Sequence, residues 1–108
     1  MSNPSIGQTI LDQLGGERFV MMTGAKQLVG IESGLMFKLP ARFALNGINK
    51  LRIVLDPSDT YSIEAFRMRG VDYTRVAIVD GIYAEDLQRT FTQITGLDCT
   101  MGQIRRAS

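Results

Sequence analysis

The residues with the clearest potential for chemistry in this sequence are basic, nine arginines and three lysines. A guanidinium group forms paired hydrogen bonds with carboxylates and phosphates, and it stacks on aromatic rings. Arg67 and Arg69 are two residues apart, so on a strand both project from one face. The neighbouring predicted strands contribute the other basic groups. We therefore predict one binding strip across three adjacent strands, formed by Lys50, Arg52, Arg67, Arg69 and Arg75.

Such a strip has two functional interpretations and one purely structural interpretation. It could bind the phosphates of a nucleic acid or an acidic protein surface. It could also be a solvated sheet face whose charge Glu64 and Asp72 partly neutralise. The net charge is only +1, whereas a dedicated nucleic-acid-binding domain is usually far more basic. Aromatic side chains that could stack on bases are also few, so the balance favours a protein partner.

Catalytic groups are scarce. The sequence has no histidine and one cysteine, Cys99. Cys99 therefore lacks the usual base of a cysteine nucleophile, and a zinc ion lacks its usual ligands. Glu85 and Asp86 lie in the first turn of a predicted helix, where the helix dipole favours the charged carboxylate. We predict a protein that is not an enzyme and that uses no metal and no cofactor.

Length and composition are those of one globular domain. The chain has 108 residues, of which 44% are hydrophobic and 21% are charged. These values predict a single domain over residues 1–108, and residues 97–108 are predicted to form a flexible tail. A lone cysteine cannot form an internal disulfide, which favours the cytoplasm. No segment has the pattern of a signal peptide or the apolar length of a membrane span.

Two helices are predicted, one near each end of the chain. Asn3-Pro4 is a typical helix start, and the apolar spacing of Ile6, Ile10 and Leu14 continues to Gly15-Gly16. The second helix is predicted over residues 84–95, with an apolar stripe and a C-terminal glycine cap. That stripe consists of Leu87, Phe91 and Ile94.

Between the helices the pattern is typical of strands. Short apolar or alternating runs bounded by glycine, proline and polar residues predict strands over residues 18–23, 27–31, 35–39, 51–55, 60–69 and 73–79. Ser33-Gly34 and Asp80-Gly81 are predicted turns, and residues 41–49 are a predicted loop. The resulting fold class is α+β, with an antiparallel meander sheet of about five strands flanked by an N-terminal and a C-terminal helix.

The predicted strand over residues 60–69 changes character along its length. Tyr61, Ile63 and Ala65 share one face, and Arg67 and Arg69 continue that face. The opposite face is polar at first and apolar later. A β-bulge, or a strand that emerges from the core, explains such a change.

Several sequence blocks resemble a small protein type of tailed phages, prophages and other mobile elements. The blocks are LDQLGGERFVMMTGAK, LMFKLPAR, GINKLRIVLD, TYSIEAFRMRG and GIYAEDLQRTFTQITGL, within residues 10–97. The resemblance implies a cytoplasmic protein that binds host or phage machinery, and some proteins of this kind inhibit host defences such as CRISPR effectors. It implies no catalytic residues. Residues 43–45 depart from the type as an insertion, which removes any basis for transferring a function to that loop.

These observations lead to two functional hypotheses. The first is a non-enzymatic accessory protein that binds a host or phage protein, with an inhibitor of host defence as its specific form. The alternative is a nucleic-acid-binding protein that uses the arginine-rich sheet face. A homodimer through an open sheet face or an edge strand is compatible with the first hypothesis.

Overall fold

Five antiparallel strands form one meander sheet, in which each strand pairs with its neighbours in sequence. The structure is a computed structural model that describes residues 6–97. Asn3-Pro4, Cys99 and the predicted tail beyond residue 97 lie outside these residues. The elements are α1 Ile6–Leu14, α2 Glu17–Thr23, β1 Lys26–Ile31, β2 Gly34–Lys38, β3 Lys50–Leu55, β4 Tyr61–Arg69, β5 Asp72–Ile82 and α3 Leu87–Thr95, with 3₁₀ turns at Leu45–Gly47 and Ala84–Asp86. The predicted α+β class and antiparallel meander are confirmed.

The prediction of a strand over residues 18–23 is wrong, because this segment forms α2. Phe19 and Thr23 are four residues apart and fully buried, whereas Met21 between them is 72% exposed. That spacing places two residues on one side of a helix. Gly24 then ends the helix in the left-handed conformation, at φ 74°.

α2 and α3 end in the same way. The Thr23 hydroxyl donates to the carbonyl of Phe19 at 2.7 Å, and the Thr95 hydroxyl donates to the carbonyl of Phe91 at 2.9 Å. Each hydroxyl also accepts a hydrogen bond from the backbone N–H two residues later. Each threonine precedes a left-handed glycine. The pattern Phe-x-x-x-Thr-Gly therefore marks both helix ends.

The first hairpin turns one residue earlier than predicted. Ile31 pairs with Gly34, so Glu32 and Ser33 form the turn, and Ser33 takes the positive φ of 61°. Gly34 lies within β2 instead of in the turn. A Cβ atom at Gly34 would lie 2.3 Å from the carbonyl oxygen of Ile53, so only glycine fits this strand position.

β5 contains two irregularities in its pairing with β4. Asp80 and Gly81, predicted as a turn, lie inside β5. Together they lie opposite a single residue of β4, because the pairing shifts between Ile63 and Tyr61. The second shift lies between Ala65 and Phe66 and leaves Val76 as the extra residue of β5. Both shifts are β-bulges of β5, whereas the change of character along residues 60–69 suggested a bulge in that strand itself.

The helices cover one face of the sheet, called here the covered face. Phe19 of α2 makes edge-to-face contacts with Phe37 of β2 and Phe91 of α3, at ring-centroid distances of 5.3 and 5.2 Å. The strand residues of this core alternate, as in a sheet with one buried side. Its other fully buried hydrophobic members are Ile10, Leu14, Ile48, Leu51, Ile53, Ile63, Ala65 and Leu87.

Both predicted helical stripes face this core. Ile10, Leu14, Leu87 and Phe91 are fully buried, and Ile6 and Ile94 are partly buried against the core. The second helix starts later than predicted, because residues 84–86 form a 3₁₀ turn before α3. Among the described residues, no helix is long and apolar enough to cross a membrane.

Candidate functional site

The sheet face without helices, called here the open face, carries a mixture of charged, aromatic and aliphatic side chains. Cross-strand pairs lie on the same side of a sheet. The pairing therefore brings Arg52 beside Glu64 and Lys50 beside Phe66. The side chains of the open face include Val29, Met36, Lys38, Lys50, Arg52, Val54, Ser62, Glu64, Phe66, Met68, Tyr73, Arg75 and Ile78.

The five predicted binding residues do not form one strip. Lys50, Arg52 and Arg75 lie on the open face, whereas Arg67 and Arg69 lie on the opposite side of β4. The reason is strand alternation: residues 67 and 69 share the side of Ile63, and residues 64 and 66 share the other side. The prediction of a continuous basic strip is wrong in this respect.

Glu64 joins the two arginines of the open face. Its Oε1 accepts a hydrogen bond from Arg52 Nη1 at 2.8 Å, and its Oε2 accepts one from Arg75 Nη1 at 3.0 Å. The contacts connect β3, β4 and β5 across the face. Burial alone would raise the pKa of Glu64, but the hydrogen bonds and positive charges of Arg52 and Arg75 outweigh burial and lower it. Glu64 thus remains an anion that orients two guanidinium groups.

An aromatic pair lies beside this charged cluster. The rings of Phe66 and Tyr73 are 4.6 Å apart between centroids and inclined by 31°. Lys50 Nζ lies 5.6 Å from the centroid of the Tyr73 ring, within the range of a cation–π contact. Phe66 is 8% exposed and Tyr73 is 49% exposed. The buried Phe66 ring therefore packs against the Tyr73 ring, and about half of Tyr73 remains exposed to solvent.

Aliphatic side chains extend the open face toward both edges of the sheet. Val29 on β1 is 55% exposed, and Ile78 on β5 is 47% exposed. Met36 lies between Val29 and Arg52 in the register. Apolar surface thus continues on both sides of the central ionic contacts.

Arg67 and Arg69 lie instead at a cleft beside the loop 41–49. Arg67 Nη1 donates to the carbonyl of Asn46 at 3.2 Å. Arg42 from the loop lines the same cleft. The sequence analysis missed Arg42, because a loop residue has no periodic pattern that would predict its neighbours.

Asp86, which we considered for chemistry, and Asp56 have structural contacts. Asp86 accepts a hydrogen bond from Arg89 at 2.6 Å, and Asp56 accepts one from the Ser62 hydroxyl at 2.6 Å. Glu64 neutralises part of the basic surface, as predicted, whereas Asp72 forms no salt bridge within residues 6–97. Among those residues, no group of three or more histidine, cysteine or carboxylate side chains is placed to hold a metal ion.

Comparisons with known proteins return no match. Neither the scan against protein-family models nor the searches of curated proteins and of solved structures finds a significant similarity.

Proposed function

We propose that this chain is a non-enzymatic binding protein that docks onto another protein through its open face. The observation that carries the proposal is the composition of this face. Two arginines are held by Glu64 beside an aromatic pair, and exposed aliphatic residues surround them. Arginine and aromatic residues are enriched at protein interfaces and contribute much of the binding energy there.

The geometry favours a partner with an acidic, partly apolar surface. Within residues 6–97, Glu64 is the only carboxylate that forms a salt bridge with Lys50, Arg52 or Arg75, so the face keeps a net positive charge. The contacts to Glu64 orient both guanidinium groups, which lowers the entropic cost of ordering them on binding. A negative surface on the partner would accelerate its association with the open face. The positive charge of the open face would also disfavour basic partners.

The face supports docking better than the sheet edges do. β5 contains two bulges, and β1 has an irregular pairing near Gln27, which takes a positive φ of 54°. Irregular edge strands are poor templates for adding another strand. We therefore propose contact through side chains of the open face instead of extension of the sheet.

The identity of the partner follows only from the resemblance of the sequence blocks. It favours a host or phage protein in the cytoplasm, and the specific form that we propose is an inhibitor of a host defence, as anti-CRISPR proteins are. Nucleic-acid binding through the arginine-rich sheet is less well supported. Its five basic residues lie on two sides of β4, and Glu64 already pairs with two of them.

The proposal is tested by affinity purification of the tagged protein from lysate of the natural host, with and without nuclease, followed by mass spectrometry. A matched pair of variants defines the surface. Ile78→Asp introduces a carboxylate on the open face, and Met21→Asp introduces one on exposed α2, on the helical side of the sheet. We expect a nuclease-resistant protein that Met21→Asp retains and Ile78→Asp loses.

Three outcomes would contradict this function. A captured set that disappears with nuclease would indicate nucleic acid as the ligand. Equal capture by both variants would remove the open face from the interaction. A wild-type dimer that Ile78→Asp converts into a monomer, measured by sedimentation without lysate, would identify a second copy as the occupant of the face.

A further inference from the structure

A basic cleft lies at the end of the sheet and reaches the edge of the open face, because Lys38 pairs with Lys50 and Met68 pairs with Tyr73. The loop 41–49 and the end of β4 enclose a hollow of about 400 Å³ that Arg42, Arg67 and Arg69 line. A second hollow of about 320 Å³ adjoins it and is lined by Lys26 and Lys38. The two hollows share Ala41, Asn49 and Met68 as lining residues. They therefore form one continuous cleft with basic groups at both ends.

The lining of this cleft is positive. Among the described residues, five of the lining side chains are basic and none is acidic, and Asp72, the cross-strand partner of Arg69, is not among them. Within residues 6–97, Arg42, Arg67 and Arg69 form no salt bridge with a carboxylate. Arg67 gives a hydrogen bond to a backbone carbonyl, which leaves its charge uncompensated. Concentrated positive charge of this kind attracts an anion.

The cleft is held in place by backbone contacts. The Asn49 side chain accepts a hydrogen bond from the N–H of Met68 at 2.8 Å and donates one to its carbonyl at 2.9 Å. The Asn49 backbone N–H donates to the carbonyl of Phe66 at 2.9 Å, and its carbonyl accepts from Leu39 at 2.9 Å. These contacts fix the end of the loop between β2 and β4. The guanidinium groups thus project from a fixed frame.

We infer that this cleft binds an anion with two linked phosphoryl groups. Guanidinium groups bind phosphate oxygens through paired, charge-assisted hydrogen bonds. The two adjoining hollows together have room for more than one phosphoryl group, and each has basic groups among its lining residues. No aromatic side chain among residues 6–97 lines either hollow, so recognition would rest on phosphate and not on a stacked base.

The test is a titration of the full chain with inorganic pyrophosphate at low salt. Binding is measured by isothermal titration calorimetry and by changes in backbone NMR chemical shifts. We expect saturable binding with shifts in the loop 41–49 and at the end of β4. Arg69→Gln removes one exposed cleft charge and should weaken binding about tenfold. Arg18→Gln is the matched control, because Arg18 is exposed on α2, and it should bind as the wild type does.

Several results would overturn the inference. They are absence of saturation, equal weakening by Arg69→Gln and Arg18→Gln, and equal binding of a short polyglutamate peptide, which carries negative charge without phosphate. If pyrophosphate binds as expected, a nucleoside diphosphate and a short single-stranded oligonucleotide identify the source of the phosphates. Tighter binding of the nucleoside diphosphate would indicate a small nucleotide as the natural ligand, and tighter binding of the oligonucleotide would indicate a nucleic-acid strand.

Discussion

The two faces of the same sheet differ in what their side chains contact. On the covered face, Phe37 contacts Phe19 of α2 and Phe91 of α3. On the open face, the one aromatic neighbour of Phe66 among residues 6–97 is Tyr73, which itself is half exposed. Alternate residues of the same strands thus stabilise the core on one side of the sheet and remain accessible to solvent or to a partner on the other side. The role of an apolar residue in these strands therefore depends on what packs against its face of the sheet, and hydrophobicity alone does not predict it.

The largest expected difference between the faces is in how much the free energy of unfolding falls when a phenylalanine is replaced by alanine. Phe91→Ala leaves an enclosed cavity among helices and strands, so we expect a loss of about 3–5 kcal/mol in the free energy of unfolding. Phe66→Ala leaves a hollow that opens to water, and we expect a loss of about 2 kcal/mol. Urea denaturation of both variants measures the two values. Equal losses would mean that the open face belongs to the core as fully as the covered face does.

Gly34→Ala tests how closely the backbones of β2 and β3 approach. The added Cβ atom would meet the carbonyl oxygen of Ile53 at 2.3 Å, so the strands must separate. We expect a destabilisation of about 2–3 kcal/mol. Gly70→Ala is the control, because its Cβ meets no atom within 4 Å although its φ is +59°, and it should cost about 1 kcal/mol. A larger loss for Gly70→Ala than for Gly34→Ala would contradict the close approach.

Thr23→Val and Thr95→Val test the shared ending of α2 and α3. Valine keeps the shape of threonine but removes the hydroxyl, which leaves one buried backbone N–H without its partner. We expect each variant to lose about 1–2 kcal/mol in the free energy of unfolding, measured by thermal or urea denaturation. Similar losses at the two positions are expected, because both hydroxyls make the same pair of contacts. A neutral Thr23→Val would show that α2 does not depend on this contact.

The smallest expected change is Glu64→Gln on the open face. Arg52 and Arg75 are 43% and 54% exposed at their side chains, so screening by water limits the loss in stability to below about 1 kcal/mol. Because the folded-state pKa of Glu64 is below its ordinary value of 4.5, the carboxylate stabilises the fold above that pH. The stabilisation is lost as the pH falls through the folded-state pKa.

Urea denaturation of the wild type and of Glu64→Gln between pH 7 and pH 3 measures this dependence. The difference in unfolding free energy should shrink toward the acidic end. A difference that grows at low pH would reverse the sign of the interaction and contradict the bridging role of Glu64.

Local patterns predicted most of the fold. Alternation in residues 51–55 and apolar spacing in Ile10 and Leu14 assigned strands and helices that the structure confirms. Residues 18–23 were misassigned because a short apolar run between glycines matches a buried strand as well as a helix. The pattern Phe-x-x-x-Thr-Gly at residues 19–24 and 91–96 was the missing signal, since the second copy lies in a correctly predicted helix.

The candidate site was only partly predictable. Alternation already placed Arg67 and Arg69 on the side of Ile63, and applying it to all three strands would have separated them from Arg52. The bulge at Val76, which sets the position of Arg75 opposite Phe66, depends on pairing between strands and has no signal within the sequence of β5 itself. The approach of Arg42 to Arg67 and Arg69 likewise depends on how the loop folds back.

The central claim is that the open face serves binding while the covered face serves stability. The most direct test measures, on one preparation of Ile78→Asp, both the capture of the nuclease-resistant partner and the free energy of unfolding. We predict at least about a tenfold loss of partner affinity. The variant should stay folded with a loss of stability below about 2 kcal/mol, because the new carboxylate lies opposite Glu64 and aspartate is unfavourable in a strand. Undiminished capture, or a loss of capture that accompanies unfolding, would contradict the account.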